Sequence, residues 1–276
     1  MAQRKLTKEE IEKTWRSYLM TGVVPDERLT FIESIFLKNR LAKRMPSEPR
    51  CRTCHIPFHG AGGALIRATL GRKPSKLNPQ LCNECEQFAD KYNGGAEVEM
   101  TILFADLRGS TPKAEELGTI EFSRWIDRFY KAVTSVLVEA DALIEKLVGD
   151  QVTGIFVPGF AGRAHAARAI KAARKILSVT GHEDSKGPWA PVGIGIHSGM
   201  AFMGSVGQVD GVNDIVTLGE AVNTTARITA AAAAGEILVT HNAFANAGQA
   251  DGGLEKRILS LKGVSQPVEV WRIPFP

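Results

Sequence analysis

Residues Met100-Thr-Ile-Leu-Phe-Ala-Asp106-Leu-Arg-Gly-Ser110 place a carboxylate directly after an apolar, β-prone run and before a glycine-containing turn. Lys146-Leu-Val-Gly-Asp150, whose aspartate stands 44 positions after Asp106, repeats that arrangement. Leu143–Val148 and Val152–Val157 flank Gly149-Asp150-Gln151, so the second aspartate reads as the tip of a hairpin. After Asp106, the backbone N–H groups of Leu107, Arg108, Gly109, Ser110 and Thr111 lead towards a helix opening near Pro112. Such a turn can form an anion nest. Magnesium is held by one or two carboxylates together with substrate phosphates. Two strand-end carboxylates beside an anion nest therefore point to a metal-dependent nucleotide enzyme.

Outward from this pair, strands and helices alternate. Val98–Phe104 reads as a strand, residues 113–141 as a long helix with Phe122, Trp125, Ile126, Phe129, Tyr130 and Val133 apolar, and residues 163–179 as an alanine-rich helix. Strand patterns recur at Val192–His197, Ile237–Thr240, Ile258–Leu261 and Val268–Ile273, with a helix over 219–234. Strands mixed with a few helices predict an α+β class fold with an antiparallel component. On that helix Asn223 and Arg227 stand four apart and share a face. An amide beside a guanidinium suits a ribose and a phosphate, although an arginine bonded to a helix neighbour is the plainer reading.

Phe104-Ala-Asp106-Leu-Arg-Gly-Ser-Thr111, Lys146-Leu-Val-Gly-Asp150, Gly219-Glu-Ala-Val-Asn223-Thr-Thr-Ala-Arg227 and Leu261-Lys262-Gly263-Val264 with Pro267-Val268-Glu269-Val270 resemble, in order and spacing, the class III nucleotidyl cyclase catalytic domain. The resemblance covers residues 97–273. It implies a ferredoxin-like α/β sandwich over residues 96–276, acting as an adenylate cyclase that converts ATP to 3′,5′-cyclic AMP and pyrophosphate. It also implies that Asp106, Asp150 and the Leu107 carbonyl hold two Mg²⁺ or Mn²⁺ ions. Lys146 would bind adenine, Asn223 orient the ribose, Arg227 stabilise the α-phosphate and Lys262 take the β- and γ-phosphates. Family sites form between two catalytic domains, so a chain with one such domain should be a homodimer with shared sites.

Two positions depart from that pattern. The second base-reading position, seven before Asn223, is Val216, with Thr217 one place off. Valine cannot accept a hydrogen bond from the adenine amine, which opens the alternative of a guanylate or relaxed-specificity cyclase. Guanylyl cyclases of the family carry Glu at the Lys146 position, which keeps ATP in front. Glu220 replaces a more usual Asp and keeps its charge. A catalytically silent, nucleotide-binding relative is the alternative from another class.

The N-terminal third is separate in character. Thr7 and Glu10 form a capping-box signature, and Ile11, Trp15, Tyr18 and Leu19 fall on one helical face. Residues 26–45 predict a second amphipathic helix before Pro46, so residues 1–50 are read as N-terminal helices. Residues 51–92 are read as a metal-binding module, because Cys51-Arg-Thr-Cys54 and Cys82-Asn-Glu-Cys85 are paired Cys-x-x-Cys motifs. Four such thiols suit Zn²⁺ or a 4Fe–4S cluster. Cys51-Arg-Thr-Cys54-His55 also fits a haem-attachment pattern, which the second cysteine pair argues against. The intervening segment shows little periodicity and predicts no core of its own. A role in regulating the catalytic domain is the natural expectation.

With 44% hydrophobic and 23% charged residues the composition is that of an ordinary globular protein. No apolar run reaches the ~18 residues of a membrane span. The N-terminus lacks the apolar core of a secretory signal, so a cytoplasmic location is expected, without a membrane partner. Residues 1–92 hold 17 Lys/Arg against 10 Asp/Glu, and residues 93–276 hold 17 against 20. The basic third admits a zinc-ribbon nucleic-acid binder, but a solvated basic face is the better reading of charge alone. His165, His182, His197 and His241 lack metal-ligand spacing and are expected at the surface or in the core.

Overall fold

The structure is a computed structural model that describes residues 6–22, 49–76, 78–209, 212–249, 253–262 and 266–275. The helix expected over 26–45 lies outside the described residues, as do residues 263–265 of the Lys262 motif. The chain divides into two compact units, one comprising Met1–Val98 with Phe202–Thr217 and the other Glu99–Ala201 with Leu218–Pro276. No helix among the described residues is long and apolar enough to cross a membrane.

In the first unit, α1 (Lys8–Thr21) opens with the reciprocal capping box: the Thr7 hydroxyl accepts from the Glu10 amide and the Glu10 carboxylate accepts from the Thr7 amide. It ends on Gly22 in the left-handed region, which glycine adopts without strain. Its apolar face is anchored by Trp15 and Leu19, both fully buried, and Trp15 Nε1 donates to the Tyr92 carbonyl at 2.7 Å. The cysteine segment folds as α2 (Gly60–Leu70) and α3 (Asn83–Lys91). Contrary to the sequence expectation it has a core of its own: Ile56, Phe58, Ile66 and Leu81 pack with Cys51, Cys82 and Cys85. α2 escapes a periodicity reading because three of its first four residues are glycine, a poor signal for any helix. Gly63 is needed there: a Cβ would stand 2.5 Å from the Phe58 carbonyl carbon.

The sheet begins with β1 (Gly94–Leu107). α4 (Ser110–Glu139) follows, interrupted at Gly118 by a non-helical φ of 72° and ψ of 166°. The hairpin β2 (Leu143–Val148) and β3 (Gln151–Phe156) comes next. A short turn of helix, α5 (Pro158–Ala161), leads to α6 (His165–Val179), whose Ala166, Ala169, Ile170, Ala173, Ile176 and Leu177 recur at helical spacing and are buried. β4 (Val192–Val209), β5 (Val212–Leu218), α7 (Glu220–Ala231), β6 (Ile237–Thr240), α8 (His241–Asn246), β7 (Glu255–Leu259) and β8 (Val268–Ile273) complete the fold.

The eight strands form one mixed sheet in the order β2-β3-β1-β4-β6-β8-β7, with β5 paired to β4. β1 and β3 are antiparallel with Asp106 opposite Gln151, whereas β4 and β6 are parallel. The main core joins Leu103, Ala105, Val152 and Ile194 of the strands to Phe129, Val133 and Leu137 of α4 and to the buried stripe of α6. This is the expected α+β sandwich. Gly195 lets α7 lie close on β4, because a Cβ there would come within 2.7 Å of the Thr229 amide nitrogen.

Candidate active site

The two aspartates converge because β1 pairs with β3. Asp106 lies in the last register pair of that ladder, opposite the residue that follows Asp150. The turn after β1 is locked to the hairpin and to the start of β4: the Leu107 amide donates to the Asp150 carbonyl at 3.0 Å and the Arg108 amide to the Pro191 carbonyl at 2.8 Å. Gly109, with φ at 72°, then caps α4, and Ser110 donates its hydroxyl to the Asp150 carboxylate. The helix starts at Ser110, so Pro112 sits inside its first turn. Of the five amides read as a nest, those of Leu107 and Arg108 are engaged within the fold. The remaining three open α4, where no intrahelical acceptor exists for them.

Tyr130 fixes the other side of the turn. Its hydroxyl donates to the Gly149 carbonyl at 2.7 Å, so α4 holds the tip that presents Asp150. Burial, and secondarily the Asp150 charge, raises the Tyr130 pKa and keeps this phenol a donor.

The charge balance of the pair is informative. Burial is the largest influence on Asp106 and pushes its carboxyl above the usual range. Arg108 opposes that shift at 3.2 Å, and the negative charge of Asp150 adds to it. A partly buried carboxyl whose ionisation is opposed by burial and by a neighbouring carboxylate marks a site that favours added positive charge. Hard oxygen donors in this setting fit a divalent cation.

Lys146 lies across a β-bulge: β2 and β3 pair Ile144 with Gly154 and then Lys146 with Thr153, so Glu145 is the extra residue. The bulge buries Glu145 and turns Lys146 outward, 3.7 Å from the Glu145 carboxylate. Bulges re-aim side chains in this way. Asn223 is exposed and Arg227 half-buried on α7, and neither side chain has a hydrogen-bond or ion-pair partner among the described residues. Lys262 is exposed beyond β7. Val216 and Thr217 lie on β5, the former half-buried and the latter buried.

Arg108 has a place that the sequence did not disclose. Besides meeting Asp106, it donates to the Thr229 carbonyl of α7 at 2.7 Å. The guanidinium thus ties the helix of Asn223 and Arg227 to the turn of Asp106.

Among the described residues, the one group of metal-ligating side chains that draws together three or more donors is Cys51, Cys54, Cys82 and Cys85, all free thiols. The histidines serve the fold. His165 bonds Thr101 at 2.7 Å, His182 meets the Leu177 carbonyl, and His197 meets Thr240 at 2.9 Å, while His241 is open and lies 3.5 Å from Glu269.

Comparison with known proteins gives this geometry a family. The chain is 35% identical over 133 residues to an adenylate cyclase of Anabaena cylindrica, covering 47% of this chain and 26% of that protein. It therefore spans about a quarter of that relative's length. It is 28% identical over 189 residues to a uridylate cyclase of Gulbenkiania mobilis, covering 60% of this chain and 71% of the relative. The solved structure of a guanylyl cyclase shares the fold with a TM-score of 0.59 and 24% identity, over 65% of this chain and 93% of that one. Residues 95–267 match the adenylate and guanylate cyclase catalytic domain, and the chain belongs to that class III nucleotidyl cyclase family.

Proposed function

We propose that this chain is an adenylate cyclase that forms its active sites between two copies of itself. The observation that carries the reading is the electrostatically coupled pair Asp106 and Asp150, held at the β1 and β2–β3 turns beside the open start of α4. In the assembled site Asp106, Asp150 and the Leu107 carbonyl would hold two Mg²⁺ or Mn²⁺ ions. When bound, these ions would supply charge neutralisation for the triphosphate and acidify the ribose 3′-hydroxyl.

The protein's own groups would do the positioning. Asn223 would orient the ribose so that its 3′-oxygen lies in line with the α-phosphorus. That oxygen forms the new bond as the bond to the β-phosphate bridging oxygen breaks, and pyrophosphate leaves. Arg227 would meet charge gathering on the α-phosphate, and Lys262 would hold the β- and γ-phosphates. Lys146, freed by the bulge from the burial imposed on Glu145, would accept adenine. Arg227 and Asn223, whose side chains have no partner among the described residues, and the exposed Leu147 (40%) and Val148 (62%) beside the Asp150 turn support a site completed by a second copy. The N-terminal unit would regulate this assembly.

Val216 favours one rival, a guanylate or relaxed-specificity cyclase, since its side chain offers no hydrogen bond to a base. The curated relatives include both an adenylate and a uridylate cyclase. Turnover of ATP, GTP, UTP and CTP by the full chain with Mn²⁺ separates the readings. The proposal expects cyclic AMP as the main product; a clear preference for another nucleotide sinks the adenylate assignment.

A further inference from the structure

The four thiols converge more tightly than a cluster allows. Every Sγ lies within 4.8 Å of every other, and those of Cys54 and Cys82 are 3.7 Å apart. A single zinc with Zn–S bonds of about 2.3 Å places its tetrahedral sulfurs about 3.8 Å from one another. In a 4Fe–4S cluster each thiolate binds a different iron and the sulfurs stand roughly 6 Å apart. A haem on Cys51 and Cys54 would equally have to pass between thiols already gathered around one point.

The surroundings suit thiolates on one ion. The Cys82 amide donates to Cys51 Sγ at 3.3 Å and the Cys85 amide to Cys82 Sγ at 3.5 Å. Such outer bonds orient metal ligands. Cys82 caps α3 and Cys85 lies in its first turn, where the helix dipole favours negative charge. Residues 50–82 contain six Lys/Arg and no Asp or Glu, which balances a dianionic tetrathiolate centre and gives the basic N-terminal third a role other than nucleic-acid binding.

This centre also has a mechanical neighbour. Cys51, Cys82 and Cys85 are members of the small core with Ile56, Phe58, Ile66 and Leu81, and Ile215 of β5 packs against that core. Ile215 immediately precedes Val216 and Thr217. On the first side, α1 reaches the same module through Tyr18 and Trp15, each 4.9 Å from the Phe88 ring.

We propose that Cys51, Cys54, Cys82 and Cys85 bind one tetrahedral zinc ion, which sets the small core against which Ile215 seats β5. The module is then a structural clamp on β5, with no cluster to change oxidation state.

The test uses the full chain purified without oxygen. Elemental analysis should find one zinc per chain and no acid-labile sulfide, and cobalt replacement should give the visible bands of a tetrahedral thiolate site. Iron with sulfide, iron alone, or cysteines that bind no metal would each overturn the zinc assignment. Hydrogen exchange is then read over residues 212–217. Removing zinc with a chelator, and separately Ile215→Ala in protein that keeps its zinc, should each speed exchange at least several-fold there. Unchanged exchange in zinc-loaded Ile215→Ala overturns the clamp. None of these readouts uses a nucleotide, so their failure is distinct from failure of the adenylate cyclase reading.

Discussion

Arg108 meets the Asp106 carboxylate at 3.2 Å and, with the other end of the same guanidinium, the Thr229 carbonyl of α7 at 2.7 Å. One side chain therefore fixes the distance between the turn that carries a metal-binding candidate and the helix that carries Asn223 and Arg227. Planar, multiply donating Arg suits this two-ended task, and Lys cannot reproduce it. Arg108→Ala and Arg108→Lys should both lower kcat by about 10-fold or more, as expected when positioning is lost. KM for the nucleotide should change less. A wild-type kcat in Arg108→Lys would show that the bridge does not position the site.

Asp106 illustrates stability given up for function. Its folded pKa is raised by burial first and by Asp150 second, so the folded state holds a proton over a pH range in which the unfolded chain has released it. This residue's contribution to stability is complete below its unfolded pKa of about 3.9 and is lost as pH rises through the folded value. At neutral pH, Asp106→Asn should raise the Tm of metal-free protein, and the gain should vanish near pH 3.5. The same variant should lose both activity and the Tm increase that Mn²⁺ gives the wild type. A lower Tm at neutral pH would contradict the burial argument.

His197 predicts the acid limit of the fold. Burial lowers its pKa from 6.5 to about 4 while it bonds Thr240 at 2.9 Å. The unfolded chain therefore takes up a proton that the folded one refuses, and stability is lost as pH falls from about 6.5 towards 4. The cost at pH 4 is up to about 3 kcal/mol. His165 and His182, also lowered by burial, act in the same direction. Denaturant melts at pH 7 and pH 5 should show a smaller loss on acidification for His197→Asn than for the wild type; equal losses would exclude His197 as a source.

The fold was legible wherever local pattern and tertiary context agree. The β2–β3 hairpin around Gly149-Asp150 and the alanine stripe of α6 follow from periodicities that burial then enforces. α2 and β5 did not, for opposite reasons. α2 is glycine-rich and is held by a close approach to the Phe58 backbone, while the short β5 has its place only as the partner of β4, which ends at Val209. In the site, the aspartates were readable because each ends an apolar strand. The bulge at Glu145, the Tyr130 bond to Gly149 and the double contact of Arg108 depend on through-space neighbours that no spacing in the chain encodes.

Completion of each site by a second copy is the central claim, and mixing two inactive variants tests it most directly. Asp106→Ala removes one half of the proposed site and Arg227→Ala removes the other. Each alone should make no cyclic nucleotide. Co-refolded or co-expressed in equal amounts, half of the dimers pair the two variants and carry one intact site, so activity should return to about a quarter of the wild type. Mixtures as inactive as the separate variants, with the mixed dimer shown to form, would contradict a shared site.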